Sequence, residues 1–532
     1  MLKKIKNNQM NNFKIILLVT AIALTAVSCR KTLDLAPEDY YGDGNFWQNE
    51  AQVSNFMVGL HKQFRDNQFM FVRLGEMRGG GFSNVDRQNT SLNELTIVNQ
   101  AIEETSAGVG SWAGMYGPIL QLNLFIQKVE GIDFIAEEKK NYLLGQAYAM
   151  RAYYYFHLLR TYGGVPIRLE PEVLNGNTDP VALRKARAPE AEVLAVVKAD
   201  VNKAVSLFGT AGIPADKSQW NPLAALMLKG EVYLWSAKVY NNTADLGEAK
   251  SALNAISGPA LQPNFADVFS YGKKNNPEII LAIRFRVGEE EMTNYATFLY
   301  STFNFDNLHY KDSSGSGSTL VDPLMIAATN SRQIIQRYGY TFELFQSYDL
   351  ADKRRDATFY DYYKVDKSVT PAVVTVRNTA LVKFLGTIDA NKRYFSDDWV
   401  VYREADRLLM LAEIVNAEGG DPTMYIQQIR DRAFGGPGLD PTPFVNGNQD
   451  ENELAIFEER SKEFVYEGKR WYDLRRMKYG NEPLVFISPN HPYGVLDKAT
   501  QAHKILWPIE PAIWTNDPLV DQTPGYLTSK PK

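Results

Sequence analysis

The chain of 532 residues contains a single cysteine, Cys29. No intramolecular disulfide can form, and no cysteine-based zinc or iron–sulfur site can be built. Histidine is scarce as well: His61, His157, His309, His491 and His503 are the five, and none stands in a His-Glu-x-x-His pattern. There is no Walker A loop and no Gly-x-Ser-x-Gly elbow. One Gly-x-Gly-x-x-Ala match, at Gly108, Gly110 and Ala113, lacks a flanking strand–helix–strand unit and leads into a helix with an aromatic face. Excess positive charge is missing too. Lys and Arg number 57 against 62 Asp and Glu, and Lys3, Lys4, Lys6 and Lys14 lie in the first 28 residues. A body this acidic gains little from the phosphate contacts that drive nucleic-acid binding, so no nucleic-acid partner is expected.

Long hydrophobic runs are absent. The stretch 15–27 is apolar except for Thr20 and Thr25. As a helix it spans roughly 20 Å, short of the ~30 Å hydrocarbon core. Behind its basic leader it reads as the hydrophobic region of a signal peptide. Ala26, Val27 and Ser28 directly before Cys29 resemble a bacterial lipobox, degenerate at Val27. The expectation is a signal peptide over 1–28 and a lipid on Cys29. Each buried CH₂ adds about 0.8 kcal/mol, and more than one acyl chain anchors stably.

What is present is globular: 45% hydrophobic, 12% aromatic and 22% charged residues. The length allows about three domains or one large fused body. Helical spacing of apolar residues predicts helices over 49–68, 112–129, 137–162, 189–208, 222–240, 246–256, 401–418, 423–433 and 452–477. Pro118 falls inside the second, where it kinks or delays a helix. The segment 137–162 is the strongest, opened by Glu137 and Glu138 and stopped by Gly163-Gly164. Residues 30–50 are polar, and 78–93 reads as a loop led by Gly79-Gly80-Gly81. Residues 257–400 hold short strand-like runs (279–285, 373–376, 381–385) and a Ser/Gly loop over 313–318. The tail after Gly480 is Pro-rich.

Pairing neighbours gives helix–turn–helix units of about 34 residues. The predicted fold is mainly α, built from tetratricopeptide-like helix pairs with a large irregular insert containing short strands. Four segments follow: the signal peptide 1–28, a helical repeat block with loop inserts over 29–256, the irregular insert 257–400, and a C-terminal helical block with a Pro-rich closing segment over 401–532.

Glu458, Glu459, Glu463 and Glu467 fall in one predicted helix, with Glu459 and Glu463 spaced i,i+4 on a shared face. A glycosidase needs two carboxylates about 5–10 Å apart in a cleft, one with a raised pKa. Here Arg460, Lys462, Lys469, Arg470, Arg475 and Arg476 crowd the same stretch and would keep the acids ionised. A structural ion network is the expectation, and His157 reads as a satisfied core residue. No catalytic residue, metal ligand or cofactor is predicted.

The run Glu458-Glu459-Arg460-Ser461-Lys462-Glu463-Phe464-Val465-Tyr466-Glu467-Gly468-Lys469-Arg470-Trp471-Tyr472-Asp473-Leu474-Arg475-Arg476 resembles the C-terminal signature of the SusD/RagB family, outer-membrane nutrient-binding lipoproteins of Bacteroidota. Three further stretches are similar to that family: 147–166, closing on Tyr162-Gly163-Gly164-Val165-Pro166; 399–413, with Tyr402-Arg403 and Leu411-Ala412-Glu413; and Leu506-Trp507-Pro508-Ile509 with Gln522 and Pro524-Gly525-Tyr526. Glu510 departs from the pattern, which often has Pro there. The resemblance implies a lipid-anchored protein on the cell surface that binds a nutrient, above all an oligosaccharide, and catalyses nothing. It implies a SusC-like TonB-dependent transporter as partner, which such proteins cover as a lid. Arg151, Tyr153, Arg470, Trp471 and Asp473 belong to the shared motifs and are expected to serve packing. Ligand sites in the family lie on variable loops. The loop 78–93 offers Arg78, Phe82, Asn84, Asp86 and Arg87, and the region of 301–318 offers Tyr295, Tyr300, Phe303, Phe305 and Tyr310. Aromatic faces stack on sugar rings, and planar polar groups fork to hydroxyls. Two other readings stand beside this one: a surface glycoside-processing enzyme, and a structural lid that binds the transporter and no small ligand.

Overall fold

The computed structural model describes residues 46–84, 92–302, 308–326, 334–336, 338–487 and 495–526. Residues up to Phe56 form one unit and those from Met57 onward another. In the first unit, the rings of Phe46, Trp47 and Phe56 lie 4.9–5.8 Å apart. The Asn49 side chain accepts the Gln52 N–H at 3.0 Å and opens helix α1 (Glu50–Asp66).

The second unit carries the repeat block. After α2 (Gln68–Gly75) and the short α3 (Leu92–Val98) come α4 (Ala113–Glu130), α5 (Glu137–Tyr162), α6 (Glu190–Phe208), α7 (Pro222–Val239) and α8 (Asp245–Asn254). Each of α4 to α8 packs on the next, as stacked helix pairs require. α5 is buried along most of its length because small residues (Ala147, Ala149, Ala152) let neighbours approach. Arg151 fastens three helices together. Its Nε and Nη2 donate to Asp200 of α6 at 2.8 Å, and its Nη1 donates to Asn123 of α4 at 2.9 Å. Pro118 sits within α4 without ending it. α7 starts where Asn221 caps the Leu223 and Ala224 N–H groups and Pro222 takes the first helical position.

The insert supplies short strands and helices. β1 (Phe82–Asn84) pairs with β6 (Tyr338–Tyr340), β3 (Tyr300–Thr302) with β5 (Ile334–Gln336), and β4 (His309–Tyr310), β7 (Phe359–Asp366) and β8 (Val373–Leu381) form a three-stranded sheet. All these pairings are antiparallel. The two runs expected at 373–376 and 381–385 are thus one strand that stops at Leu381, just before Phe384 turns with φ 67°. α9 (Thr293–Leu299), α10 (Phe342–Gln346) and α11 (Arg354–Thr358) lie among these strands.

β9 (Thr387–Asp389) and β10 (Lys392–Tyr394) form an antiparallel hairpin; β2 (Ile279–Ile283) pairs with β11 (Trp399–Arg403), and all ten residues of that last pair are buried. The helix expected over 401–418 therefore starts later, as α12 (Glu404–Ala417), because Val401 to Arg403 are held in this ladder. α12 packs on α7, α8, α13 (Thr423–Phe434) and α14 (Gln449–Glu463). Asn448 and Glu451 close a capping box at the start of α14.

The long helix expected over 452–477 is two helices. α14 ends at Glu463 and α15 (Arg470–Arg476) begins after a turn in which Tyr466 (φ 64°) and Gly468 (φ 70°) adopt left-handed conformations. Glu76 at the end of α2 holds this turn. Its carboxylate accepts the N–H of Tyr466 at 3.0 Å and of Gly468 at 3.2 Å, and the Tyr340 hydroxyl at 2.7 Å. Gly75 is required for the approach, since a Cβ there would fall 1.8 Å from the Gly468 carbonyl oxygen.

Candidate functional site

The two loops singled out from sequence grow from one ribbon of chain. β5 and β6 are separated by a single residue. In register, Asn84 faces Tyr338 and Phe82 faces Tyr340, while Tyr300 faces Gln336 and Thr302 faces Ile334. The ends of β1 and β3 that lead into the loops are thereby carried by the same seven-residue segment, 334–340. Below it lies an aromatic bed. Phe298 stacks on Tyr338 at 4.6 Å and meets Phe82 at 5.5 Å and Phe69 at 5.6 Å; Tyr340 lies 4.4 Å from Phe82 and 5.7 Å from Phe359. The Tyr340–Glu76 hydrogen bond ties this bed to the core turn.

The ten candidate residues separate by burial. Arg78 is fully buried: its Nε donates to Gln100 at 2.8 Å, its Nη2 donates to the Lys504 carbonyl, and its guanidinium lies 4.0 Å from the Trp471 ring and 5.2 Å from that of Trp507. Phe82 is buried within the bed. Tyr295 is fully buried, and its hydroxyl is aimed at the Lys383 (2.6 Å) and Leu381 (3.1 Å) carbonyls. Tyr310 is 7% exposed, is the cross-strand partner of Tyr363, and has Lys367 Nζ 4.2 Å above its ring. These four side chains are committed to packing and leave a ligand almost no surface. Asn84 and Tyr300 are placed by their backbones at the roots of the loops. Asp86, Arg87, Phe303 and Phe305, like Cys29, lie outside the described residues.

The acidic cluster is built into a buried ion network. Arg403, fully buried at the end of β11, donates to Glu278 (2.7 Å), Glu463 (2.6 Å) and Glu467 (2.8 and 2.9 Å). Arg354 reaches Glu463 at 3.0 Å and also Glu459 and Asp352; Arg432 reaches Glu463 and Glu278; Lys383 reaches Glu467 at 2.6 Å. Burial pushes the Glu463 carboxyl up, but Arg432, Arg403 and Arg354 together overcome it and hold it well below the usual carboxylate range. Glu467 is likewise held down against burial by Arg403 and Lys383. Neither carboxyl is poised to deliver a proton near neutral pH. Glu278, Arg354, Lys383 and Arg432 were not singled out from sequence. A charge beside an apolar strand, as Glu278 stands before Ile279, was the available signal.

The remaining motif residues also serve packing. Asp473 accepts from Arg460 and Arg476 at 2.8 Å, Arg470 donates to the Gly79 carbonyl at 2.7 Å, and Trp471 is fully buried. His157, also buried, stacks 4.8 Å from Phe71, and its Nδ1 lies 3.0 Å from the Tyr472 hydroxyl. Burial, reinforced by Arg160 and Lys469, holds its pKa well below the ordinary histidine value. Gly108, from the lone Gly-x-Gly match, lies against Ile97 and Trp507. Among the described residues no group of three His, Cys, Asp or Glu is arranged to hold a metal ion, and no helix is long and apolar enough to cross a membrane.

Comparison with known proteins completes the assignment. Residues 277–526 match the SusD family, and residues 32–234 match the family described as starch-binding associating with outer membrane. A SusD superfamily protein from Bacteroides fragilis NCTC 9343 is 35% identical, covers 91% of this chain with 100% of its own, and superimposes with a TM-score of 0.80. NanU of B. fragilis is 32% identical, covers 93% of this chain with 100% of its own, and has a TM-score of 0.78. The curated SusD-like protein P38 of Formosa agariphila is 25% identical over 94% of this chain and 96% of its own. The chain belongs to the SusD family of carbohydrate-binding, non-catalytic proteins associated with the outer membrane.

Proposed function

We propose that this protein is a cell-surface lipoprotein, anchored through lipid on Cys29, that captures a glycan and passes it to a SusC-like TonB-dependent transporter in the outer membrane. The observation that carries the reading is the shared root of its two variable loops. β6 pairs with β1 and β5 with β3, so the strand that leads to Asp86 and Arg87 and the strand that leads to Phe303 and Phe305 have their partners in adjoining stretches of chain. Between them the two loops carry, in sequence, aromatic residues suited to sugar rings and an amide, a carboxylate and a guanidinium suited to hydroxyls. Burial of Arg78, Phe82, Tyr295 and Tyr310 supports a packing role for them in this reading. The lipobox-like order before Cys29 supports the anchor, and membership of a family associated with the outer membrane supports the location.

The test is a binding screen of the full chain in detergent against poly- and oligosaccharides and peptides, by retention gel and calorimetry. Binding of a glycan without product formation, lost in Arg87→Ala and Phe305→Ala, is the expected result. Product formation, or no binding to any member of the panel, defeats the reading.

A further inference from the structure

A concave region opens just past β6, where the chain leaves the loop roots and enters α10. An open cavity of about 730 Å³ is bounded by α10, the segment after it and β7 on one side, and by α13 and α14 on the other. This is within the roughly 300–1,000 Å³ of small-molecule sites. None of the six candidate residues among the described residues lines it. Phe342 and Tyr363, both half-buried, meet edge to face at 6.0 Å, so their rings remain partly open to the cavity. Phe345 is buried at its floor, and the Arg355 guanidinium is held 4.2 Å over that ring.

The polar groups around these rings differ in how far they are committed. Arg430 is fully engaged by Asp440, Glu459 and Thr442, and Asp352 by Arg354. Arg355 is not: its carboxylate neighbour is Asp356 at 3.7 Å, whose side chain is 82% exposed, a weak pairing in high dielectric. Lys462 has no carboxylate within salt-bridge distance among the described residues, and its backbone carbonyl is pinned by the Tyr348 hydroxyl at 2.7 Å. Asp349 turns one oxygen to the Ala351 N–H at 2.7 Å and keeps the other. Across the lining, Arg355, Arg430 and Lys462 are balanced by Asp349, Asp352 and Glu458. A balanced wall favours neither an anion nor a cation. It offers donors and acceptors side by side, as a hydroxyl group needs because it both gives and accepts a hydrogen bond. The aromatic rings suit the apolar faces of a pyranose.

We propose that this cavity is a binding site for a neutral oligosaccharide, with Phe342 and Tyr363 stacking on the sugar and Arg355, Lys462 and Asp349 bonding its hydroxyls. The site goes beyond the loop site of the proposed function and rests on that reading only for the class of ligand. The test titrates the full chain in detergent with maltohexaose, cellohexaose, xylohexaose and mannohexaose. Calorimetry is read beside hydrogen–deuterium exchange over 342–363 and 455–462. One of the four sugars is expected to slow exchange in both segments. Tyr363→Ala and Arg355→Gln, both at partly exposed positions, are each expected to weaken that binding about tenfold, the loss of one stacking or one charged hydrogen-bond contact. Melting temperature checks that they fold. Arg87→Ala, in the loop, is expected to leave the protection of both segments unchanged. Binding that survives Tyr363→Ala and Arg355→Gln but is lost in Arg87→Ala overturns this site and keeps the loop reading. Protection that is lost in Tyr363→Ala, with Arg87→Ala silent in every measurement, keeps this site and defeats the loop reading. No binding of any of the four sugars by the wild-type chain overturns this site.

Discussion

Arg403→Met is the perturbation that most directly tests how this fold is held together. The substitution keeps an unbranched side chain but removes five hydrogen bonds, made to Glu278, to Glu467 and to the side chain and backbone of Glu463. Removing one partner from a buried pair costs roughly 3–5 kcal/mol, chiefly from the charge left behind. Three carboxylates lose a partner here, but the costs do not add threefold. Glu278 keeps Arg432 at 3.2 Å, Glu463 keeps Arg354 at 3.0 Å, and Glu467 keeps Lys383 at 2.6 Å. The expected loss is about 4 kcal/mol at pH 7, a large part of a typical 5–15 kcal/mol total. Guanidinium unfolding followed by circular dichroism measures it, with Lys62→Met as control. The Lys62–Asp66 pair is 2.7 Å long but about half exposed, so its loss costs about 0–0.5 kcal/mol. The pH dependence has a defined sign. Glu463 and Glu467 titrate lower in the folded chain than the ordinary 4.5, so their contribution is complete above that pH and is lost as pH falls through their folded values. The gap between wild type and variant is therefore full near neutrality and narrows below about pH 4.5. A gap under about 1 kcal/mol at pH 7, or one unchanged down to pH 3, refutes the account.

Four further outcomes are expected. Gly75→Val drives a side chain into the Gly468 carbonyl and destabilises by more than about 2 kcal/mol, read as a fall in guanidinium midpoint. Tyr295→Phe leaves the Lys383 and Leu381 carbonyls without their hydroxyl donor, costing about 1–2 kcal/mol of stability while leaving glycan affinity unchanged in calorimetry. The His157 ring stays neutral in a nitrogen-detected NMR titration from pH 8 to pH 5. Because the unfolded chain takes up the proton that the folded chain refuses, His157 lowers stability as pH falls below 6.5, and a ring that titrates near 6.5 refutes this. Cys29→Ala abolishes incorporation of labelled palmitate and releases the protein from the detergent phase; unchanged partitioning defeats the anchor.

The helical blocks were legible because their signals are local. Acidic first turns, glycine stops and 3/4 apolar spacing set α5 at the bounds read from sequence, and α4, α6, α7, α8 and α13 within two residues. The break between α14 and α15 was not legible. Its residues keep helical spacing, and the turn exists because Glu76, some 390 positions earlier, accepts the backbone N–H groups of Tyr466 and Gly468. The start of α12 was misread for a related reason: Tyr402 and Arg403 pair with β2, more than 100 residues away. Of the candidate site, the two loops were proposed from composition. The burial of Arg78 and Tyr295 was not, since nothing near Arg78 in sequence announces Trp471 and Trp507. The aromatic-rich stretches 338–348 and 359–363 carried the signal for the second cavity.

By itself, the sequence determined the mainly helical repeat and the family, both of which rest on residue identity and short-range spacing. Only the tertiary structure decided which charges are neutralised in the core, which aromatic rings are spent on packing, and which loops share a root. Those depend on strands and turns that meet across hundreds of residues, where burial and a partner's charge, rather than any local pattern, set what a side chain can do.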